Sequence, residues 1–413
     1  MGLLNIADLK PGMTVARDVT GKNGRMLLPK GLTLTEAHLR VFNIWGVTEA
    51  EVYGASRDEA SEAALDAIDA GVLKAAASQA ALMFSASNTD HPAVSELLRL
   101  RVIELAETAA TADQANQAGP AGPVKEADQG DPPPAPSSPE ALLAGDQDMG
   151  SFPEVYFELQ KALDDPGSSD AHIADIIGRD PGLTARLLKL ANSPLYGFSS
   201  RIDSLARGVM MIGGRELFQL ALGLTVIDKF KDVPPGLLSA RQVWEHAIGC
   251  AVFARVLAVH ARNLSHDRLF VAGLLHDLGR LVMLKKIPRH MARIVKTAQS
   301  ERIPLHLAEK RHLGYDHAEL GRALMRKWRL PPVLCEIVAA HHEPETAADV
   351  PEAALIHLAD LMAVSAGDGS LCVPRLSPAA WDQLGLSVSV LAVALSQAKR
   401  QMREMVASFL DRI

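Results

Sequence analysis

The segment Phe270-Val-Ala-Gly-Leu-Leu-His-Asp-Leu-Gly-Arg280 sets two titratable residues, His276 and Asp277, in an apolar run. Leu269, Val271, Leu274, Leu275, Leu278, Leu281 and Val282 leave no polar side on a helix turning about 100° per residue, so the segment is expected to be buried. A buried carboxylate is too costly to leave bare: it is protonated, hydrogen-bonded, ion-paired or bound to a metal, and an adjacent imidazole favours the last three. Partners for the pair stand on both sides of it, at His246, His317, His341, His342 and Asp360.

Taken in chain order, His246, His276, Asp277 and Asp360 make a metal-ligand set drawn from three separate helices. Imidazole nitrogen and carboxylate oxygen suit divalent Zn, Mn, Fe or Ni, and a carboxylate can bridge two ions. His317, His341 and His342 supply donors for a second ion, and a two-ion site clamps both ends of a phosphoryl displacement. In that chemistry Asp277 belongs to the reacting centre, and Arg280 or Lys285 would steady the phosphate. The same residues could instead close a His/Asp hydrogen-bond network with no ion. His266 and Asp267 open the helix that leads to His276, where Asp267 serves as a first-turn carboxylate. Lys285, Lys286, Arg289, Arg293 and Lys296 could attract a phosphate ligand, but read first as a solvated helix face.

The elements that would position these residues are helical almost throughout residues 151–413, which divide at Pro234-Pro235-Gly236 into 151–236 and 237–413. Helices are expected near Arg241 to His260, Asp267 to Leu284, Leu305 to Glu309, Asp316 to Trp328, Pro332 to Ala340 and Glu352 to Ala366. Ahead of them, residues 1–54 read as a small α+β accessory module: strands over Met13 to Thr20, Arg25 to Leu28 and Val47 to Val52, and a helix capped by Thr35. Residues 55–107 are Ala- and Leu-rich and fit two helices broken near Asn88 to Pro92. Residues 108–150 nearly lack large apolar side chains and contain Asp131-Pro-Pro-Pro-Ala-Pro-Ser-Ser-Pro139, so they read as a flexible, disordered linker. The fold class is mainly α.

A net charge of -7 with 4% aromatics argues against general nucleic-acid binding. Cys250, Cys335 and Cys372 are far apart and odd in number, which fits a reducing compartment. With no signal sequence and no window long enough to span a membrane, a cytoplasmic location is expected.

Several stretches resemble the HDOD domain, a bacterial signalling relative of the HD phosphohydrolases: Phe152-Pro153, Ile176-Ile-Gly-Arg-Asp-Pro-Gly-Leu-Thr-Ala-Arg-Leu-Leu-Lys-Leu-Ala-Asn-Ser-Pro-Leu-Tyr-Gly197, Ile212-Gly-Gly-Arg-Glu-Leu217, Val243-Trp-Glu-His246 and the Phe270 segment. Leu9-Lys-Pro-Gly-Met13 and Leu27-Leu-Pro-Lys-Gly31 look like the module that precedes some HD-GYP cyclic-di-GMP phosphodiesterases. The resemblance implies an all-helical HDOD/HD-like bundle that relays signals through contacts with other signalling proteins, near two-component or cyclic-di-GMP pathways. It implies, as the alternative, a metal-dependent phosphohydrolase acting on a cyclic dinucleotide. His246, His276, Asp277 and Asp360 match the HD ligand pattern, and His317, His341 and His342 the additional HD-GYP ligands. Three departures separate the chain from those enzymes: Gln242 one turn before His246, Arg280 in place of their Lys, and no Gly-Tyr-Pro loop after Glu343.

Overall fold

The computed structural model describes residues 2–5, 9–20, 26–44, 47, 49–53, 69–112, 133–144, 154–192, 196, 198, 200–230, 233, 236–261, 264–367 and 371–410. They fall into two compact units, Met1–Gly122 with Gly385–Gln397, and Pro123–Leu384 with Ala398–Ile413.

The first unit contains β1 (Gly2–Asn5), β2 (Val19–Thr20), β3 (Met26–Leu28), α1 (Glu36–Ile44) and β4 (Glu49–Val52). Two antiparallel pairs form, β1 with β4 and β2 with β3. β1 was not expected: Gly-Leu-Leu-Asn is too short to show alternation, and it is held through Leu4, which packs with Val15, Leu34, Phe42, Val52 and Val393. The proposed turn over residues 21–24 lies outside the described residues. The expected helix pair follows as α2 (Ala70–Met83) and α3 (Pro92–Ala112).

Part of the linker reading is corrected. The helix α3 runs past residue 108 to Ala112, and α4 (Pro139–Leu143) forms where a flexible linker was expected. Ser138 caps α4 and Pro139 opens it, while Leu142 and Leu143 are buried. Lys286 and Lys327 donate from Nζ to the Leu142 and Leu143 carbonyls at 2.7 and 2.9 Å, satisfying acceptors that a helix end leaves open.

The rest of the second unit is helical: α5 (Glu154–Asp164), α6 (Asp170–Gly178), α7 (Pro181–Ala191), α8 (Leu205–Ile212), α9 (Gly214–Lys229), α10 (Ala240–Ala258), α11 (His266–Leu275), α12 (Leu278–Lys286), α13 (Pro288–Glu301), α14 (Leu305–Leu313), α15 (His317–Lys327), α16 (Pro332–Ala340), α17 (Val350–Ser365), α18 (Pro378–Leu384) and the later part of α19 (Ser389–Leu410). Trp244, Phe253, Phe230 and Trp328 are among its largest fully buried side chains. No single described helix is long and apolar enough to cross a membrane.

Helices α10, α11 and α17 pack on one another and carry the first ligand candidates. A Cβ on Gly273 would lie 2.8 Å from the Ala251 Cα, so the bare backbone at 273 lets α11 approach α10 closely. A bidentate ion pair from Arg268 to the buried Glu352, with Nε at 2.8 and 3.0 Å from the carboxylate oxygens, ties α11 to α17.

One continuous helix was expected from Asp267 to Leu284, but the chain breaks at His276 and Asp277. Asp277 has φ -96° and ψ 13°, and its carbonyl accepts from the Arg280 amide at 2.9 Å to start α12. An uninterrupted apolar run carries no polar punctuation, so periodicity could not locate this turn. Its consequence is functional: Asp277 stands at a helix N-cap but makes no side-chain capping bond, which leaves its carboxylate for other partners.

Helix α12 meets the start of α15 at Gly279, where a Cβ would fall 2.0 Å from the His317 carbonyl oxygen. Backbone, not a flexible side chain, occupies that space. Gly279→Ala is therefore expected to push α12 from α15 and destabilise the second unit by about 1–3 kcal/mol, read as a lower urea midpoint at unchanged slope. A midpoint equal to that of the parent protein would refute the close approach.

Candidate metal centre

The sequence-predicted ligands come together. His246 Nε2 lies 3.0 Å from Asp360 Oδ1, 3.1 Å from His276 Nε2 and 3.5 Å from Asp277 Oδ2. On the other side, His317 Nε2 lies 3.0 Å from His342 Nε2, 3.3 Å from His341 Nε2 and 3.0 Å from Asp277 Oδ1. Asp277 thus faces both groups: Oδ1 lies between His317 and His276, 3.4 Å from His276 Nε2, and Oδ2 is turned toward His246. The His276 and His341 rings meet edge to face at 5.1 Å and join them. Each triad, His246 with His276 and Asp277, and His317 with His341 and His342, keeps its donor atoms within 4.8 Å of one another.

Outer contacts fix how the rings point. His276 Nδ1 is 2.6 Å from the Gly273 carbonyl, and His341 Nδ1 is 2.6 Å from the Val338 carbonyl. A carbonyl only accepts, so each Nδ1 carries the proton, and Nε2 is the atom offered to the centre. His317 makes the stronger version, with Nδ1 at 2.5 Å from Glu309 Oε2, while the same oxygen accepts from the His317 amide at 2.9 Å. A carboxylate behind an imidazole is the arrangement that orients metal-ligating histidines. Behind His341, His357 donates from Nδ1 to the His341 carbonyl at 2.8 Å.

Burial and charge act in opposition here. Burial pushes the Asp277 carboxyl up, but Arg280, then His276 and His317, outweigh it and hold it well below the usual carboxylate range. Asp360 is likewise held far down against its burial by hydrogen bonds from His246 and His276. His276 is raised well above the usual imidazole value despite burial, chiefly by Asp277. Burial and Arg280 lower His317, yet Glu309 and Asp277 raise it to about 9. His341 is pushed down to about 3 by burial, then by His276 and His317. Protons on His276 and His317 therefore do the neutralising that cations would otherwise do.

The residues fit divalent ions. Asp277 Oδ1 is buried and accepts no hydrogen bond of acceptable geometry, although two imidazoles stand near it. An oxygen left bare between two sets of inward-facing nitrogens is what a bridging carboxylate leaves for metal.

The expected phosphate-steadying cations fare differently. Arg280 is buried beside the centre, its guanidinium bonded to Asp277 Oδ2 through one terminal nitrogen and 3.4 Å from Glu309 Oε1 through Nε. It holds the Asp277 carboxylate in place. Lys285 is in the last turn of α12, eight residues on from Asp277, roughly 12 Å of helix rise. Gln242 closes a capping box, its Oε1 accepting from the Ser239 amide at 2.9 Å and its own amide donating to Ser239 Oγ at 3.1 Å.

Two contributors were missed by sequence reasoning. Glu309 is fully buried behind His317, and His306 stacks on His342 with ring centroids 3.9 Å apart and planes 20° from parallel. Both lie on α14, which the sequence reading ended at Glu309. The αL glycine Gly314, φ 84°, marks its true stop and was the available signal.

The centre opens to a cavity of about 430 Å³ whose wall includes His246, Asp277, Arg280, Val364, Leu371 and Met402. The His246 side chain is the exposed edge of the first triad, at 15%.

Residues 149–344 match the HDOD domain. An uncharacterized protein of Treponema pallidum (strain Nichols) is 28% identical over 200 residues, covering 47% of this chain and 38% of that protein, so the chain spans well under two thirds of that relative. An HDOD domain protein with unknown function from Geobacter sulfurreducens superposes with a TM-score of 0.55 at 25% identity, over 65% of this chain and 96% of that one. A protein of Shewanella amazonensis SB2B, provisionally named a phosphohydrolase, gives 0.51 at 22% identity over 65% and 97%, which is a likeness of fold.

Proposed function

From a chain whose residues 149–344 match the HDOD domain, we propose a signalling protein whose second unit, with Asp360 of α17 beyond that span, holds a pair of divalent ions and hydrolyses a phosphate ester there. The observation that carries this reading is the unbonded, buried Asp277 Oδ1 between two convergent histidine sets. His246, His276 and Asp360 would hold one ion, His317, His341 and His342 the other, with Asp277 common to both. Ions so held supply a water acidified to near neutrality and neutralise charge on phosphoryl oxygens.

The charge balance supports an anionic ligand. Three buried carboxylates, Asp277, Asp360 and Glu309, face the single guanidinium of Arg280. Two divalent ions would leave two positive charges in excess, which a phosphate monoester dianion cancels. Arg280 keeps the Asp277 carboxylate from turning, and the partly exposed edge of His246 faces the cavity from which an ester arrives. Val364, Leu371 and Met402 line that approach and favour an ester with an apolar body. Among the described residues of the wall, Arg280 is the one cationic side chain, so a second phosphate, as in a cyclic dinucleotide, gains no counter-charge there.

A second reading is favoured by the same Arg280: because one Asp277 oxygen is bonded to it, the centre could serve as a stiffened core through which the domain relays signals by protein contact. Elemental analysis and p-nitrophenyl phosphate hydrolysis separate the two. About two equivalents of Fe or Mn per chain and a turnover reduced about 100-fold or more in His246→Ala are expected for the hydrolase. Full metal content without turnover would leave the relay, and no metal after reconstitution would overturn the centre itself.

A further inference from the structure

Each ligand of the second triad has one outer support, and the three supports differ. His341 is locked by the Val338 carbonyl and His317 by Glu309, whereas His342 has no hydrogen bond at Nδ1 among the described residues. What it has is a ring: His306 lies parallel to it at 3.9 Å, and His306 makes no hydrogen bond of its own among the described residues. His306 and Glu309 are three residues apart on α14, hence on one face of that helix, turned toward the same triad.

We propose that His306 is a positioning residue: by stacking, it holds the His342 ring in the orientation that presents Nε2 to the ion shared with His317 and His341. This rests on the two-ion reading above. The helix α14 then braces two ligands of the second ion, one through a carboxylate and the other through a ring face. The stack needs an aromatic surface rather than a ring nitrogen, and that distinction makes it testable. Loss of an outer-shell partner costs about 10–100-fold in metal affinity, so the effect is measurable at one ion and absent at the other.

The test is Mn(II) titration of metal-stripped full-length protein, followed by calorimetry. Wild type is expected to take up two ions. His306→Ala should keep one at wild-type affinity and weaken the other by about ten-fold or more. His306→Phe should restore both, since the face is retained without the nitrogens. In a His246→Ala background, which leaves only the second triad complete, adding His306→Ala should weaken the remaining ion by the same ten-fold or more. Two ions bound normally by His306→Ala, equal weakening of both ions, or failure of His306→Phe to restore binding would each overturn the positioning role. Fewer than two ions on the wild type would instead overturn the two-ion reading beneath it.

Discussion

Asp277→Asn is expected to cost the second unit about 3–5 kcal/mol and to abolish binding of both ions. The side chain is almost isosteric, so packing is conserved and the loss is electrostatic. Arg280 is buried and its charge is answered by Asp277 and Glu309. Removing one partner leaves a guanidinium short of compensation in a dry interior, which is far more damaging than removing the whole pair. At about 2–4 °C per kcal/mol for a unit of this size, melting should fall by roughly 6–20 °C. The double replacement Asp277→Asn with Arg280→Met should regain part of that stability while remaining unable to bind metal. A single variant that melts with wild type and still binds ions would remove Asp277 from the centre of the argument.

Much of this centre was legible because its chemistry is expensive to hide. His276 and Asp277 stood out in an apolar run, and the need for partners led to His246, His317, His341, His342 and Asp360, which the fold gathers around them. The break at His276 was not legible, since nothing in that run distinguishes a turn from a continuing helix. Glu309 was hidden for a different reason. Ending α14 at Glu309 left that residue at a presumed helix end, where a carboxylate needs no explanation; extending the helix to Gly314 puts it on the buried face with Leu305, Ala308 and Leu313. The α4 segment was lost inside a Pro-rich composition because only two leucines and two distant lysines hold it. Composition averages over such a short docked piece.

Without added metal, the protein is expected to be most stable near neutral pH: His306 and His341, lowered to about 4 and about 3 by burial first, contribute stability that is lost as pH falls below about 6.5, and a second group of histidines weakens the fold as pH rises toward 9. Asp277 and Asp360 have lowered folded values, so the stability they contribute is present above their unfolded value of about 3.9 and is lost as pH falls below it. His317 is shifted the other way: its contribution is complete below about 6.5 and is lost as pH rises through about 9. His276, also raised, adds to the same decline. Metal reverses the upper half of this profile. Ligation needs neutral imidazoles, so each ion must displace the protons on His276 and His317, and binding tightens with pH over the window in which those protons leave. An ion present at about 100 times its dissociation constant adds about 2.7 kcal/mol, and two add twice that. Melting curves measured from pH 6.5 to 9 should therefore fall in chelator and rise in Mn(II), diverging as pH increases. Parallel curves would mean that metal and protons do not compete for these nitrogens, and the two histidine sets would then be a plugged core rather than an ion site.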